Sequence, residues 1–202
     1  MTALAIVVVA VAVAVAVAVV VVAAVALPLA VVAVRRRRDP WSQELALIDG
    51  KTGLANRRRL DRDMQSCIAD RHPSAAVMVI DIDNFGSMSV QHGPVLSDRI
   101  LFAISSSVSK QVRAKDVVYR YGDDEFCVIL RGADEKEALR VAERIRASTP
   151  RLVLPVEGIA TVSVGVAVGH GVDVVQTLAL ATRAMRDGRG VGPDRVTLAE
   201  AR

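Results

Sequence analysis

The sequence predicts an α/β fold, a mixed central sheet flanked by helices, preceded by one transmembrane helix. Three observations carry this. Residues 1–34 hold no Asp, Glu, Lys, Arg or His, and the first charges are Arg35, Arg36, Arg37 and Arg38. The remainder alternates between apolar segments of strand period and of helix period. That body is long enough to bury one ordinary core. Of the 26 Lys and Arg residues, four form the arginine block, and the rest balance the 22 Asp and Glu. The high pI therefore reflects one short cluster. A nucleic-acid-binding domain, which needs a basic face on the fold itself, is excluded. Cys67 and Cys127 have no metal-ligand spacing, so neither a disulfide scaffold nor a cysteine zinc site is expected.

The elements follow in order. Ala3 to Val34 is apolar throughout and rich in Val and Ala. In lipid an open strand leaves its backbone unpaired, so a single span is a helix. It is read as one tilted helix over 1–34, with Pro28 near its cytoplasmic end. A cleaved signal peptide is disfavoured, since there is no charged n-region and arginines stand where a cleavage site belongs. The positive-inside rule places the N-terminus outside and the body in the cytoplasm, with Trp41 as interface anchor. Residues 35–48 form a basic stop and a short connector with a helical tail at 43–47. The body, 49–202, is read as one domain. Arg57–Arg71 is expected as a helix with Leu60, Met64, Cys67 and Ile68 on one face. Ala75–Ile82 is a buried strand, and Ser97–Val112 a helix. Val117–Tyr121 and Phe126–Leu130 flank a hairpin turn. Asp134 and Glu137 form a capping box for a helix to about Ala147. Val162, Val164, Val166 and Val168 have strand alternation. Val174–Arg186 is a helix, and Arg195–Leu198 a last strand.

Two acidic clusters stand out. Asp81-Ile82-Asp83 closes an apolar strand, where α/β sheets bind ligands. Asp123-Asp124-Glu125 lies in the hairpin turn. Carboxylates gathered at strand ends hold hard divalent cations, which in turn hold phosphates.

Five segments, in order, resemble the GGDEF family of diguanylate cyclase domains. Asp49-Gly-Lys-Thr-Gly-Leu-Ala-Asn-Arg-Arg58 is similar to D-x-L-T-G-L-x-N-R-R, and Asp81-Ile-Asp-Asn-Phe85 to D-I-D-x-F. Arg120-Tyr-Gly-Asp-Asp-Glu-Phe126 resembles R-x-G-G-D-E-F, and Thr161-Val-Ser-Val-Gly-Val-Ala167 resembles T-x-S-I-G-V-A. Ala181 to Val196 is similar to the family's final helix and strand. The resemblance implies a GGDEF, nucleotidyl-cyclase-like domain over 49–202. It implies GTP chemistry between two facing domains, with each 3′-hydroxyl attacking the other nucleotide's α-phosphate to give cyclic di-GMP. Asp81, Asp124 and the Ile82 carbonyl would hold Mg²⁺ or Mn²⁺ when nucleotide is bound. Glu125 would be a further metal ligand or catalytic acid beside Asp124. Asp98 would accept guanine N–H bonds, and Arg189 would reach a phosphate.

The departures from the pattern point away from turnover. Asp123 replaces the second Gly of the motif, adding bulk and negative charge beside a triphosphate. Ser89 replaces the Asn that reads guanine, and a hydroxyl lacks the paired donor and acceptor of an amide. Gly86 replaces a Lys and Pro193 an Arg near the phosphates. Val90, Pro94 and Ser97 replace an Asp, a His and a Gly. A second site looks intact. Arg113-Ala-Lys-Asp116 matches the family's R-x-x-D inhibitory site for cyclic di-GMP, and Arg144 its secondary arginine. Arginine forks onto guanine O6 and N7 while Asp accepts from N1 and N2.

The expected protein is thus a membrane-anchored, degenerate GGDEF protein in cyclic di-GMP signalling. It is read as a single-pass inner-membrane homodimer, acting as cyclic di-GMP receptor or regulatory partner with weak or no cyclase activity. The alternatives are an active diguanylate cyclase and a pseudoenzyme that binds GTP or only dimerises.

Overall fold

The structure is a computed structural model and describes residues 11, 14–27, 44–69, 74–154, 159–170 and 174–200. The chain divides into two compact units, Met1–Ala46 and Leu47–Arg202. In the first, residue 11 and residues 14–27 are helical and exposed. Among the described residues no helix is long and apolar enough to cross a membrane. The remainder of the expected span, with Pro28, Arg35–Arg38 and Trp41, lies outside the described residues. Of the expected helical tail, residues 44 and 45 are helical.

The second unit is built on a six-stranded sheet of order β1-β3-β4-β2-β5-β6. The strands are β1 (Ala55–Asn56), β2 (Ser74–Ile82), β3 (Val117–Arg120), β4 (Glu125–Arg131), β5 (Val162–His170) and β6 (Val196–Leu198). β2 lies at the centre, antiparallel to both β4 and β5. The pairs β1–β3 and β5–β6 are parallel, so the sheet is mixed as expected. The helices are α1 (Arg57–Ala69), α2 (Phe85–Lys110), α3 (Glu135–Ser148) and α4 (Val174–Val191).

The period-two rule distributes the core. On β2, Ala76, Met78, Ile80 and Ile82 face Ile100 and Ile104 of α2 and Ala138, Ala142 and Ile145 of α3. Val77 and Val79 turn to the other face, against Leu60 and Met64 of α1 and Leu178, Ala181 and Met185 of α4. The sheet is buried on both sides, which is why β2 and β4 read as continuous apolar runs. α4 sits directly on the backbone of β5. A methyl group at Gly165 would lie 2.1 Å from the Ala181 carbonyl oxygen.

Several boundaries differ from expectation. α2 starts at Phe85 rather than Ser97 and consists of two helical segments broken at Gly93 (φ 76°, ψ 173°), with Pro94 opening the second. α4 runs to Val191 instead of ending at Arg186. α1 is described to Ala69, and Arg71 lies outside the described residues. The two-residue strand β1 was not anticipated. The capping box is present in its first half, since Asp134 accepts from the Glu137 N–H at 2.7 Å.

Candidate functional site

Antiparallel pairing of β2 with β4 sets Asp81 opposite Glu125, so the two acidic clusters meet. The Ile82 N–H donates to the Asp124 carbonyl at 3.2 Å. Asp81 is only 4 % exposed. Burial pushes its carboxyl up to about 6, and the charges of Asp124, Glu125 and Asp83 add to the rise. Arg189 opposes it, its Nη1 donating to Asp81 Oδ1 at 2.6 Å. The arginine expected at a phosphate is thus paired with the expected metal ligand.

Asp83 is not free for chemistry. Thr161 Oγ1 and Ser163 Oγ donate to its two oxygens at 2.6 and 2.7 Å, and the Asp194 N–H adds a third bond at 2.9 Å. It ties the end of β2 to β5 and to the approach to β6.

The turn between β3 and β4 is closed by bonds from the N–H groups of Tyr121 and Gly122 to the Glu125 carbonyl. Glu125 folds over Gly122, where a methyl group would lie 2.7 Å from Glu125 Oε2. Asp123 is exposed and has no positive φ, so the GDDEF turn forms without backbone strain at the substituted position. Its objection to a triphosphate is bulk and charge alone. Arg120 fastens the turn. Its Nε donates to the Gly122 carbonyl at 3.2 Å, its Nη2 to the Asp123 carbonyl at 2.7 Å and its Nη1 to Asp49 Oδ1 at 3.1 Å. Burial works against the Asp49 charge. The bonds from Thr52 and Arg120 outweigh it and hold the carboxyl below its usual value.

No group of three or more His, Cys, Asp or Glu side chains forms a metal cage among the described residues. That donor set still fits Mg²⁺ or Mn²⁺ carried by a nucleotide, because Mg²⁺ is held by one or two carboxylates plus phosphate oxygens. Asp124 and Glu125 lie beside the buried Asp81 carboxylate, and the negative charge gathered there would favour a divalent cation.

The expected base-recognition residues Ser89 and Asp98 each have a different partner. Ser89 Oγ donates to Ser97 Oγ at 2.7 Å, and Ser97 Oγ donates to the Gly93 carbonyl at 2.8 Å, across the break in α2. Asp98, next in the chain, accepts from Lys51 Nζ at 2.7 Å. Sequence reasoning missed Lys51, although it stands at the leucine position of the opening motif. It also assigned no task to Arg120.

Arg113, Asp116 and Arg144 line one cleft of about 120 Å³ with Glu137 and Arg140. Arg113 pairs with Glu137, and Arg144 Nη2 donates to the Gln111 carbonyl. Asp116 Oδ2 accepts from the Arg113 N–H at 3.1 Å, while Asp116 Oδ1 is buried with no hydrogen-bond partner among the described residues. Cys127 is buried at the centre of the sheet, and burial pushes its thiol far up, so it is inert.

The fold is a mixed α/β domain whose two acidic strand ends are paired side by side. The family model described as diguanylate cyclase, GGDEF domain, matches residues 46–194, and the chain belongs to this family of cyclic di-GMP signalling. It is 35% identical over 162 residues to diguanylate cyclase DosC of Escherichia coli K12, covering 76% of this chain and 35% of DosC. It is 30% identical over 155 residues to diguanylate cyclase DgcZ of the same strain, covering 73% of this chain and 52% of DgcZ. The chain thus spans a third to a half of these relatives. Among solved structures, diguanylate cyclase SiaD from Pseudomonas aeruginosa, in complex with its activator SiaC, superposes with a TM-score of 0.72 at 28% identity, covering 85% of this chain and 71% of SiaD. The GGDEF domain of DgcB from Caulobacter crescentus, in complex with c-di-GMP, gives 0.72 at 25% identity, covering 77% of this chain and 94% of that one.

Proposed function

We propose that the protein is a membrane-anchored, degenerate GGDEF protein that acts as a cyclic di-GMP receptor or regulatory partner, with weak or no cyclase activity. The observation that carries this reading is Asp116 Oδ1, a buried carboxylate oxygen without a donor in a cleft lined by Arg113, Arg140 and Arg144. An unsatisfied buried acceptor costs about 1–3 kcal/mol. Guanine N1 and N2 hydrogens would satisfy it, and Arg113, exchanged from Glu137, would fork onto O6 and N7. The complex of DgcB with c-di-GMP supports a ligand of this class. At the acidic end, Asp81, Asp124 and the Ile82 carbonyl would hold Mg²⁺ or Mn²⁺, with Glu125 beside them. The cation would supply charge neutralisation on a triphosphate. Asp98 and Ser89 would face the base, and Arg189 would move from Asp81 to a phosphate. Two copies would have to face each other for turnover, so a homodimer belongs to this reading.

A second reading, an active diguanylate cyclase, is favoured by the unstrained turn at Asp123 and the retained Asp81, Asp124 and Glu125. Calorimetric titration of the full chain with cyclic di-GMP tests the receptor reading, and conversion of GTP to cyclic di-GMP tests the second. Micromolar binding is expected, weakened about tenfold or more by Arg113→Ala or Asp116→Ala and unchanged by Asp124→Ala. No binding, or binding indifferent to Arg113→Ala, would sink the receptor reading.

A further inference from the structure

We infer that Lys51 is a specificity-determining residue: together with Asp98 it presents a donor–acceptor–acceptor edge that reads guanine and rejects adenine. This rests on the reading that Asp98 faces the nucleotide base.

Lys51 Nζ lies 2.7 Å from Asp98 Oδ1, and the two side chains are 55 % and 40 % exposed. An ion pair this open contributes little to stability, so the fold has small use for it. Its chemistry is more specific than its energy. Read in order, the pair offers one N–H donor and then two carboxylate oxygens. The Watson–Crick edge of guanine offers an acceptor, O6, and then two donors, N1–H and N2–H. The two edges are complementary in the sense in which cytosine complements guanine. Adenine brings its N6 donor against the lysine and its N1 acceptor against the carboxylate, two unfavourable matches.

The surroundings leave this task to Lys51. The Ser89 proton is committed to Ser97, and the Ser97 proton to the Gly93 carbonyl. The hydroxyl that replaces the amide therefore has no donor to spare for O6. The backbone at Lys51 is held in place, because it sits in a turn closed by the Thr52 N–H and Oγ1 on Asp49 Oδ1, and by the Gly53 N–H on the Asp49 carbonyl. Arg120 fixes that turn to the GDDEF turn through Asp49. The donor lost with the asparagine is thereby resupplied from the opening motif.

The test is binding of GTP, inosine triphosphate and ATP, each with Mg²⁺, to the full chain and to Lys51→Met, Lys51→Arg and Asp98→Asn. Lys51→Met is expected to weaken GTP about tenfold and to narrow the preference for GTP over ATP. It should leave the ratio of GTP to inosine triphosphate unchanged, since the missing N2 donor of inosine is read by Asp98. Lys51→Arg should retain most of the affinity. An unchanged thermal midpoint in each variant shows that the fold is intact. If Asp98→Asn weakens GTP while Lys51→Met leaves it equal or tighter, Lys51 merely masks Asp98 and the inference falls alone. If Asp98→Asn has no effect, or the wild type binds no GTP, the base-site reading falls and this inference with it.

Discussion

At the residue scale, Asp81 carries the sharpest electrostatic consequence. Its folded carboxyl, raised to about 6 from 3.8, holds its proton more tightly than the unfolded chain does. Its contribution to stability is therefore fully present below 3.8 and lost as pH rises through about 6. The shift corresponds to about 2–3 kcal/mol at neutral pH. In metal-free protein, Asp81→Asn should raise the thermal midpoint at pH 8, with the gain fading between pH 6 and 4. Differential scanning calorimetry across that range checks it; a gain constant with pH would show that the effect is not ionisation. The same substitution removes the partner of Arg189, so a lowered midpoint at pH 8 would mean that the ion pair outweighs the desolvation of Asp81.

At the element scale, α4 packs backbone to backbone on β5. Gly165→Ala would drive a methyl group into the Ala181 carbonyl and the Met185 N–H, at 2.1 and 2.3 Å. The expected loss is about 3 kcal/mol, the upper end of ordinary overpacking, or roughly 6–12 °C in midpoint for a domain of this size. Gly86→Ala, where a methyl group meets nothing within 4 Å, is the control and should be neutral or stabilising. Elements with a strong local pattern were legible in the sequence: the valine alternation of β5, the apolar run of β2, and the Asp134 cap. The first segment of α2 was not, because Gly86, Ser87 and Ser89 give it no apolar period and it is anchored instead by buried Phe85. α4 was read short because glycine near a helix end suggests a stop. Gly188 is there for close packing, a methyl group at that position lying 2.0 Å from Thr197 Oγ1. In the site, motif residues were found by resemblance to a family pattern. The pairs Lys51–Asp98 and Arg189–Asp81, separated by 47 and 108 residues, leave no local trace.

At the scale of the whole molecule, Asp123 and the replaced phosphate contacts act together. Each lost contact costs about 1–3 kcal/mol, so conversion of GTP to cyclic di-GMP by concentrated protein should be slow or undetectable with Mg²⁺ or Mn²⁺. Asp123→Gly alone should restore little, because Gly86 and Pro193 remain. Robust product abolished by Asp124→Ala would instead establish the working cyclase. The topology expected from Arg35–Arg38 is tested by a reporter active only in the periplasm, fused after Arg202; a strong signal would overturn the cytoplasmic placement. Asp49 lies just past Leu47, where the second compact unit begins, and the Arg120 guanidinium joins it to two carbonyls of the GDDEF turn. Seventy-one residues of sequence are thereby short-circuited. The segment at Leu47 is also stitched to β1 by the Ile48–Ala55 bridge and by the Asn56 N–H on the Leu47 carbonyl, and β1 pairs with β3, so a displacement entering at Leu47 would reach the GDDEF turn by two routes, one guanidinium and one strand edge.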